Sequence, residues 1–157
     1  MKVTDICTTE VVTATPDESI YEVALRMREA HVGDVVVVES GSSGPIPTGM
    51  LTDRDIVVSL IAEGSRDLDQ AMVGEAMSQA LLVVNDQEDI DRVLDRMSEH
   101  GVRRVPVVDG EGTLVGILSM DDCLGFMQER LDRLARIVDT EIQHETDRDR
   151  PNTPSRR

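Results

Sequence analysis

Tryptophan is absent from this 157-residue chain, and its aromatic side chains are Tyr21 and Phe126. Proteins that hold single-stranded nucleic acid stack bases on aromatic rings, so a platform of that kind is excluded. Basic charge is also scarce. Lys and Arg total 16 against 31 Asp and Glu, for a formal net charge of −15. That balance argues against nucleic acid, whose binders carry a basic face, and against docking to an anionic membrane. No run of the sequence approaches the length of apolar residues needed to span a bilayer. The two cysteines, Cys7 and Cys123, stand far apart and form neither a C-x-x-C pair nor a disulfide framework. A reducing compartment fits that usage, with a bridge between them as the lesser alternative. Met1-Lys2-Val3-Thr4-Asp5 opens no apolar stretch of the signal-peptide kind, so we expect a soluble, cytoplasmic protein.

Catalytic signatures are missing as well. His31, His100 and His144 show no metal-ligand spacing with the cysteines, and His31 and His100 fall where helix C-terminal turns are expected. There is no G-x-S-x-G, P-loop or H-E-x-x-H pattern. The methionines read as core filler. We expect no enzyme activity, no metal and no required cofactor. Apolar residues make up 39% of the chain but are clustered, so it folds, and its length supports about one domain with no staple.

What is present is a repeat. Shifted by 70 residues, Val3 falls on Val73, Ile20 on Ile90, Val23 on Val93, Arg26 on Arg96, Met27 on Met97, and Val35, Val37 and Val38 on Val105, Val107 and Val108. Further on the shift is 67, with Gly49, Leu51, Thr52 and Asp55 on Gly116, Leu118, Ser119 and Asp122. The difference sits in the turn-rich Ser40-Gly41-Ser42-Ser43-Gly44-Pro45, where insertion is tolerated. The boundaries expected are 3–63 for the first repeat, 73–138 for the second, and 139–157 for a helix end and flexible tail.

Each copy reads β-α-β-β-α. A short extended piece (Val11 to Ala14, Leu81 to Val84) leads through an acidic turn into a helix with apolar residues at helical spacing. An apolar strand (Val35 to Val38, Val105 to Val108) and a second strand follow, and a second helix starts at Thr52 and at Ser119. A unit of this kind cannot cover its own sheet, so the copies should pack together in an α/β (α+β) fold.

Two segments end the second strands: Gly49-Met50-Leu51-Thr52-Asp53-Arg54-Asp55 and Gly116-Ile117-Leu118-Ser119-Met120-Asp121-Asp122. One reading is a capping box, in which hydroxyl and acid satisfy orphan amides at a helix start. Another adds a ligand. The glycine would let it approach the strand, the helix start would meet an anion, and the acid would accept ribose hydroxyls. The two readings are compatible.

This repeat, the G-h-h-[ST]-x-x-D endings and Val102-Arg103-Arg104-Val105-Pro106-Val107-Val108 resemble a tandem pair of CBS domains, or Bateman module, of the stand-alone prokaryotic type, over about residues 3 to 138. The resemblance implies repeats related by pseudo-two-fold symmetry, with clefts between them that take adenosine-containing ligands. The expected regulatory ligand is AMP, ADP or ATP, with S-adenosylmethionine as the less favoured choice. By resemblance, Thr52 with Asp55 and Ser119 with Asp122 would hold ribose and phosphate. Arg103 and Arg104, with Arg54 as a further local cation, would pair with phosphate. Val35, Met50, Val105 and Ile117 would sandwich the adenine. Asp122 with Arg103 or Arg104 is the expected main site. Gly33-Asp34 replaces the Arg pair in the first copy, and Asp34 should repel phosphate there. The alternative for the Arg pair is a solvated surface.

Leu124, Met127, Leu131, Leu134, Val138 and Ile142 form an amphipathic stripe, expected on a helix from about Asp121 to Gln143. It either packs on its own domain or makes a homodimer contact. Beyond Glu145 a frayed polar tail is expected. The expected protein is a non-catalytic module that binds an adenine nucleotide, changes conformation, and acts on a protein effector in trans. The alternative is a structural or stress-response protein with degenerate sites that works through protein contacts alone.

Overall fold

The computed structural model describes residues 1–64 and 67–148. Its elements are β1 (Thr13–Ala14), α1 (Ile20–Ala30), β2 (Asp34–Ser40), β3 (Pro45–Thr52), α2 (Asp53–Asp55), which runs on as a π-helical stretch (Ile56–Ile61), α3 (Val73–Ala76), β4 (Val84–Asn85), α4 (Ile90–His100), β5 (Arg104–Val108), β6 (Leu114–Ser119) and α5 (Met120–Arg148). A 3-10 turn at Val3–Asp5 precedes them. Two three-stranded sheets form, in the orders β1-β2-β3 and β4-β5-β6. In each, the first pair is parallel and the second antiparallel. The expected β-α-β-β-α order is present in both repeats. The lead strands are shorter than expected, because Val11, Val12, Leu81 and Leu82 lie outside the ladders.

The repeats match in detail. Ser19 and Asp89 cap α1 and α4, accepting from the amides of Glu22 (3.2 Å) and Asp91 (3.0 Å). Each helix ends on a left-handed residue, His31 (φ 55°) or Gly101 (φ 63°). Arg26 pairs with Glu18, and Arg96 with Glu88 at 2.8 Å. Both antiparallel pairs carry a bulge, between Val37 and Val38 and between Val107 and Val108. One asymmetry comes from proline. Val36 N–H donates to the Val12 carbonyl at 3.1 Å, but Pro106 has no N–H, so Leu82 lacks the counterpart bond.

The segments that lead into the repeats cross over. Val3 N–H bonds Glu88 O and Thr4 N–H bonds Asp86 O, both at 3.0 Å. In mirror fashion, Val73 N–H bonds Glu18 O at 3.0 Å and Gly74 N–H bonds Pro16 O at 2.9 Å. Thr8 and Ile117 exchange backbone bonds of 2.9 Å, and Ser78 and Met50 exchange bonds of 2.8 and 3.1 Å. Val73 and Ala76 therefore enter the core of the first repeat with Ile20, Val23, Val35, Val37 and Leu51. Crossing also explains the strand glycines. A Cβ on Gly49 would stand 2.9 Å from both Ser78 O and Met77 Sδ, and one on Gly116 would stand 2.9 Å from Thr8 O. The expectation that these glycines admit a ligand is thus corrected: they admit the other repeat's lead segment.

Residues 1–122 form one compact unit, and α5 from Cys123 onward belongs to a second, described by itself. The helix exceeds the expected span at both ends, and Thr146, Asp147 and Arg148 are helical where a tail was expected. The rest of that tail, 149–157, lies outside the described residues. Leu131, Leu134, Val138 and Ile142 are more than half exposed. Neither Cys7 nor Cys123 is in a disulfide. Among the described residues, no helix is long and apolar enough to cross a membrane, and no cluster of His, Cys, Asp and Glu could hold a metal.

Candidate functional site

Both second helices start with the hydroxyl-acid box. Asp55 N–H donates to Thr52 Oγ1 (3.1 Å), while Asp55 Oδ2 accepts from the Thr52 amide (2.9 Å) and hydroxyl (2.7 Å). Ser119 and Asp122 repeat this at 3.1, 2.9 and 2.5 Å. The capping reading is therefore present in both copies. Each box uses Oδ2 of its acid and leaves Oδ1 with no hydrogen bond among the described residues.

Each box also borders a cavity. The first, of about 290 Å³, sets Met50, Thr52 and Asp55 of the first repeat against Ser78, Ala80, Leu81, Leu82, Val102 and Arg103 of the second. The second, of about 220 Å³, sets Ile117, Ser119 and Asp122 against Thr8, Glu10, Val11, Val12, Val32 and Gly33, with His31 besides. Asp34 and Arg104 line both. The two sets are related residue by residue by the internal repeat, so the cavities are equivalent places carrying different side chains.

This arrangement separates the two arginines expected beside Asp122: Arg104 lines its cavity and Arg103 does not. Arg103 shares a cavity with Thr52 and Asp55, whereas Asp122 shares the other with Glu10, Gly33, Asp34 and Arg104. The lead segments cross to the other repeat, while each strand start stays bonded to its own repeat's box (Met120 N–H to the Arg103 carbonyl, Asp53 N–H to the Gly33 carbonyl, both 2.9 Å), and Arg103 and Gly33 line the cavity that holds the other repeat's box. Asp34 is not a free repulsive charge either. It is ion-paired with Arg104, its side chain 10% exposed against 42% for the arginine. Arg104 also lies 3.8 Å from Asp121. Arg54 is exposed and lines neither cavity.

The apolar expectations divide. Met50 lines the first cavity and Ile117 the second. Val35 and Val105 are 1% and 0% exposed and line neither, so they have no surface to offer a base. They sit on central strands packed from both sides, and their places as walls are taken by Val32 and Val102, three residues earlier, in the links between helix and strand. The sequence reading also missed Leu81 and Leu82, although the repeat alignment places them on Val11 and Val12. Close to the second cavity, burial pushes the half-buried Cys7 thiol up, and the Asp122 carboxylate adds to the shift. A shift in that direction disfavours the thiolate, the reactive form.

Comparison with known proteins agrees with the two-repeat fold. The family model described as the CBS domain matches residues 3–62 and 73–129. The CBS domain-containing protein YhcV of Bacillus subtilis is 40% identical over 120 residues, covering 76% of this chain and 81% of that protein. Protein MK0525 of Methanopyrus kandleri is 32% identical over 124 residues, and the match spans 79% of this chain but 61% of the relative's length. Among solved structures, Hypoxic Response Protein I, crystallised with two coordinated zinc ions, superposes with a TM-score of 0.68 at 34% identity, covering 79% of this chain and 97% of that one. The CBS domain pair of protein MJ0100, in complex with 5'-methylthioadenosine and S-adenosyl-L-methionine, shares the fold, with a TM-score of 0.70 at 24% identity over 83% of this chain and 98% of that one.

Proposed function

The chain belongs to the CBS-domain family, with two CBS domains in tandem, and we propose that it is a non-catalytic regulatory module whose first cavity holds one adenosine-containing ligand of the AMP, ADP or ATP class. The observation that carries this is the joining of Thr52 and Asp55 with Arg103 around a mainly apolar hollow. At about 290 Å³ it lies at the lower edge of ligand-site sizes. The free Oδ1 of Asp55 suits a ribose hydroxyl, and Arg103 suits a phosphate, each as a charge-assisted hydrogen bond. Met50, Leu81, Leu82 and Val102 offer apolar walls for a base, and the Leu82 carbonyl that Pro106 leaves without a donor offers an acceptor for an exocyclic amine. S-adenosyl-L-methionine, a ligand of the MJ0100 pair, is the less favoured ligand here, because its cationic sulfonium gains nothing from Arg103. Calorimetric titration with AMP, ATP, adenosine and S-adenosylmethionine tests the reading: AMP should bind more tightly than adenosine, with one ligand per chain. Failure of all four to bind would overturn it.

The second reading, a protein-contact module with degenerate sites, is favoured by one observation: Glu10 and Asp122 line the second cavity, where the Arg104 guanidinium is already paired with Asp34. That cavity is a poor place for a nucleotide, so the expected stoichiometry is one rather than two. Output in either reading passes to another chain. The exposed stripe of α5 at Leu131, Leu134 and Val138 repeats at alternating intervals of three and four, the pattern of a two-helix seam. We expect a cytoplasmic homodimer joined there and acting on a protein effector in trans. Leu134→Glu should give a species near 17 kDa in light scattering, half the mass of the parent.

A further inference from the structure

We infer that Asp34 is a built-in competitor for phosphate: its carboxylate holds the Arg104 guanidinium that a phosphate-bearing ligand in the first cavity would otherwise take, and so it sets how strongly that cavity prefers nucleotide over nucleoside. The inference rests on the ligand reading above and goes beyond it.

Asp34 and Arg104 occupy the same position in the two repeats, the first residue of β2 and of β5. Each pairs across its sheet with the hydroxyl residue of a box, Asp34 with Thr52 and Arg104 with Ser119. They meet as an ion pair on the wall shared by both cavities. The neighbouring Arg103 lines the first cavity and makes no ion pair among the described residues. A phosphate drawn to Arg103 therefore arrives one residue from a second guanidinium that is already engaged.

The two partners are unequal. Arg104 is 42% exposed and can turn toward an incoming anion, while Asp34 is 10% exposed and therefore little open to solvent if its cation leaves. The other carboxylate near Arg104, Asp121, is 66% exposed and 3.8 Å away, so it holds the arginine weakly. Recruiting Arg104 to a phosphate thus strands a buried carboxylate, which is unfavourable. That penalty opposes AMP and leaves out adenosine, which has no phosphate to recruit the arginine. It also leaves Asp34 unpaired on the second cavity beside Glu10 and Asp122, which discourages a second anion there.

The test is calorimetric titration of AMP and adenosine into the parent, Asp34→Asn, Arg104→Ala and the double variant. Asp34→Asn should raise the ratio of AMP to adenosine affinity about tenfold, roughly 1.4 kcal/mol. In the Arg104→Ala background the same substitution should leave that ratio nearly still. Asp34→Ser should repeat the effect and keeps the test available if the asparagine variant folds poorly. A ratio that does not move, or that moves equally in both backgrounds, overturns this inference alone. If the parent binds neither AMP nor adenosine, the ligand reading and this inference fall together.

Discussion

The second cavity carries Glu10 where the first carries Ala80, and Gly33 where the first carries Arg103. Around these differences the frame is the same: equivalent hydroxyl-acid boxes, bulges, crossed lead segments and helix caps. The repeat thus holds the backbone in two equivalent arrangements, and a few side chains decide what each cavity accepts. Removing one acid and adding one guanidinium makes the first cavity suit an anion, while the second repels it. In a chain of net charge −15, a nucleotide finds positive potential only locally, which makes Arg103 the side chain on which the difference turns.

The largest expected effect follows from that. Arg103→Ala should weaken AMP by about 1.5–3 kcal/mol, the range for hydrogen bonds to charged groups, and weaken adenosine much less. Titration calorimetry reads both. Equal losses would mean that the guanidinium does not meet the phosphate, and the cavities would then differ less than their charges imply. Perturbing the two equivalent strand glycines is the complementary experiment for the frame. Gly49→Ala and Gly116→Ala each place a methyl group about 2.9 Å from a backbone carbonyl of the other repeat's lead segment. Both should destabilise by about 1–3 kcal/mol, and by similar amounts, in denaturant unfolding. A loss confined to one repeat would break the equivalence.

Much of this frame was legible in the sequence. The shift of 70 and then 67 residues located both sheets, and the Thr-x-x-Asp and Ser-x-x-Asp patterns located the second helix starts, because these are local rules. The crossing was not legible. Val3 meets Glu88, and Thr8 meets Ile117, across long separations that no periodicity records. Without the crossing, the sequence does not tell Arg103 from Arg104 as the neighbour of Asp122, and it does not show that Gly49 and Gly116 meet a lead segment. Val35 and Val105 misled for a different reason. A central strand buried on both faces is a continuous apolar run, and such a run does not say which residue faces a cavity.

The smallest expected effect concerns acid. The Arg26 guanidinium holds the Glu18 carboxyl below its ordinary value, against an opposing push from partial burial. A carboxyl depressed in the folded state stabilises the protein above its unfolded value, near 4.5, and that contribution is lost as pH falls through the folded value. Glu18→Gln should therefore flatten the fall in melting temperature below about pH 4.5 and change little near neutrality. An unchanged acid limb would show that the first repeat's Glu18–Arg26 pair contributes nothing there.

The central claim is that a ligand site here joins the box of one repeat to the basic position of the other. Asp55→Asn and Asp122→Asn test it most directly, compared side by side for AMP affinity and for stability without ligand. Both keep the side-chain shape and much of the cap, so both should cost stability similarly, by about 1 kcal/mol or less. Asp55→Asn should weaken AMP about tenfold while Asp122→Asn leaves it nearly unchanged. The reverse order, with Asp122→Asn the damaging variant, would contradict the crossed site.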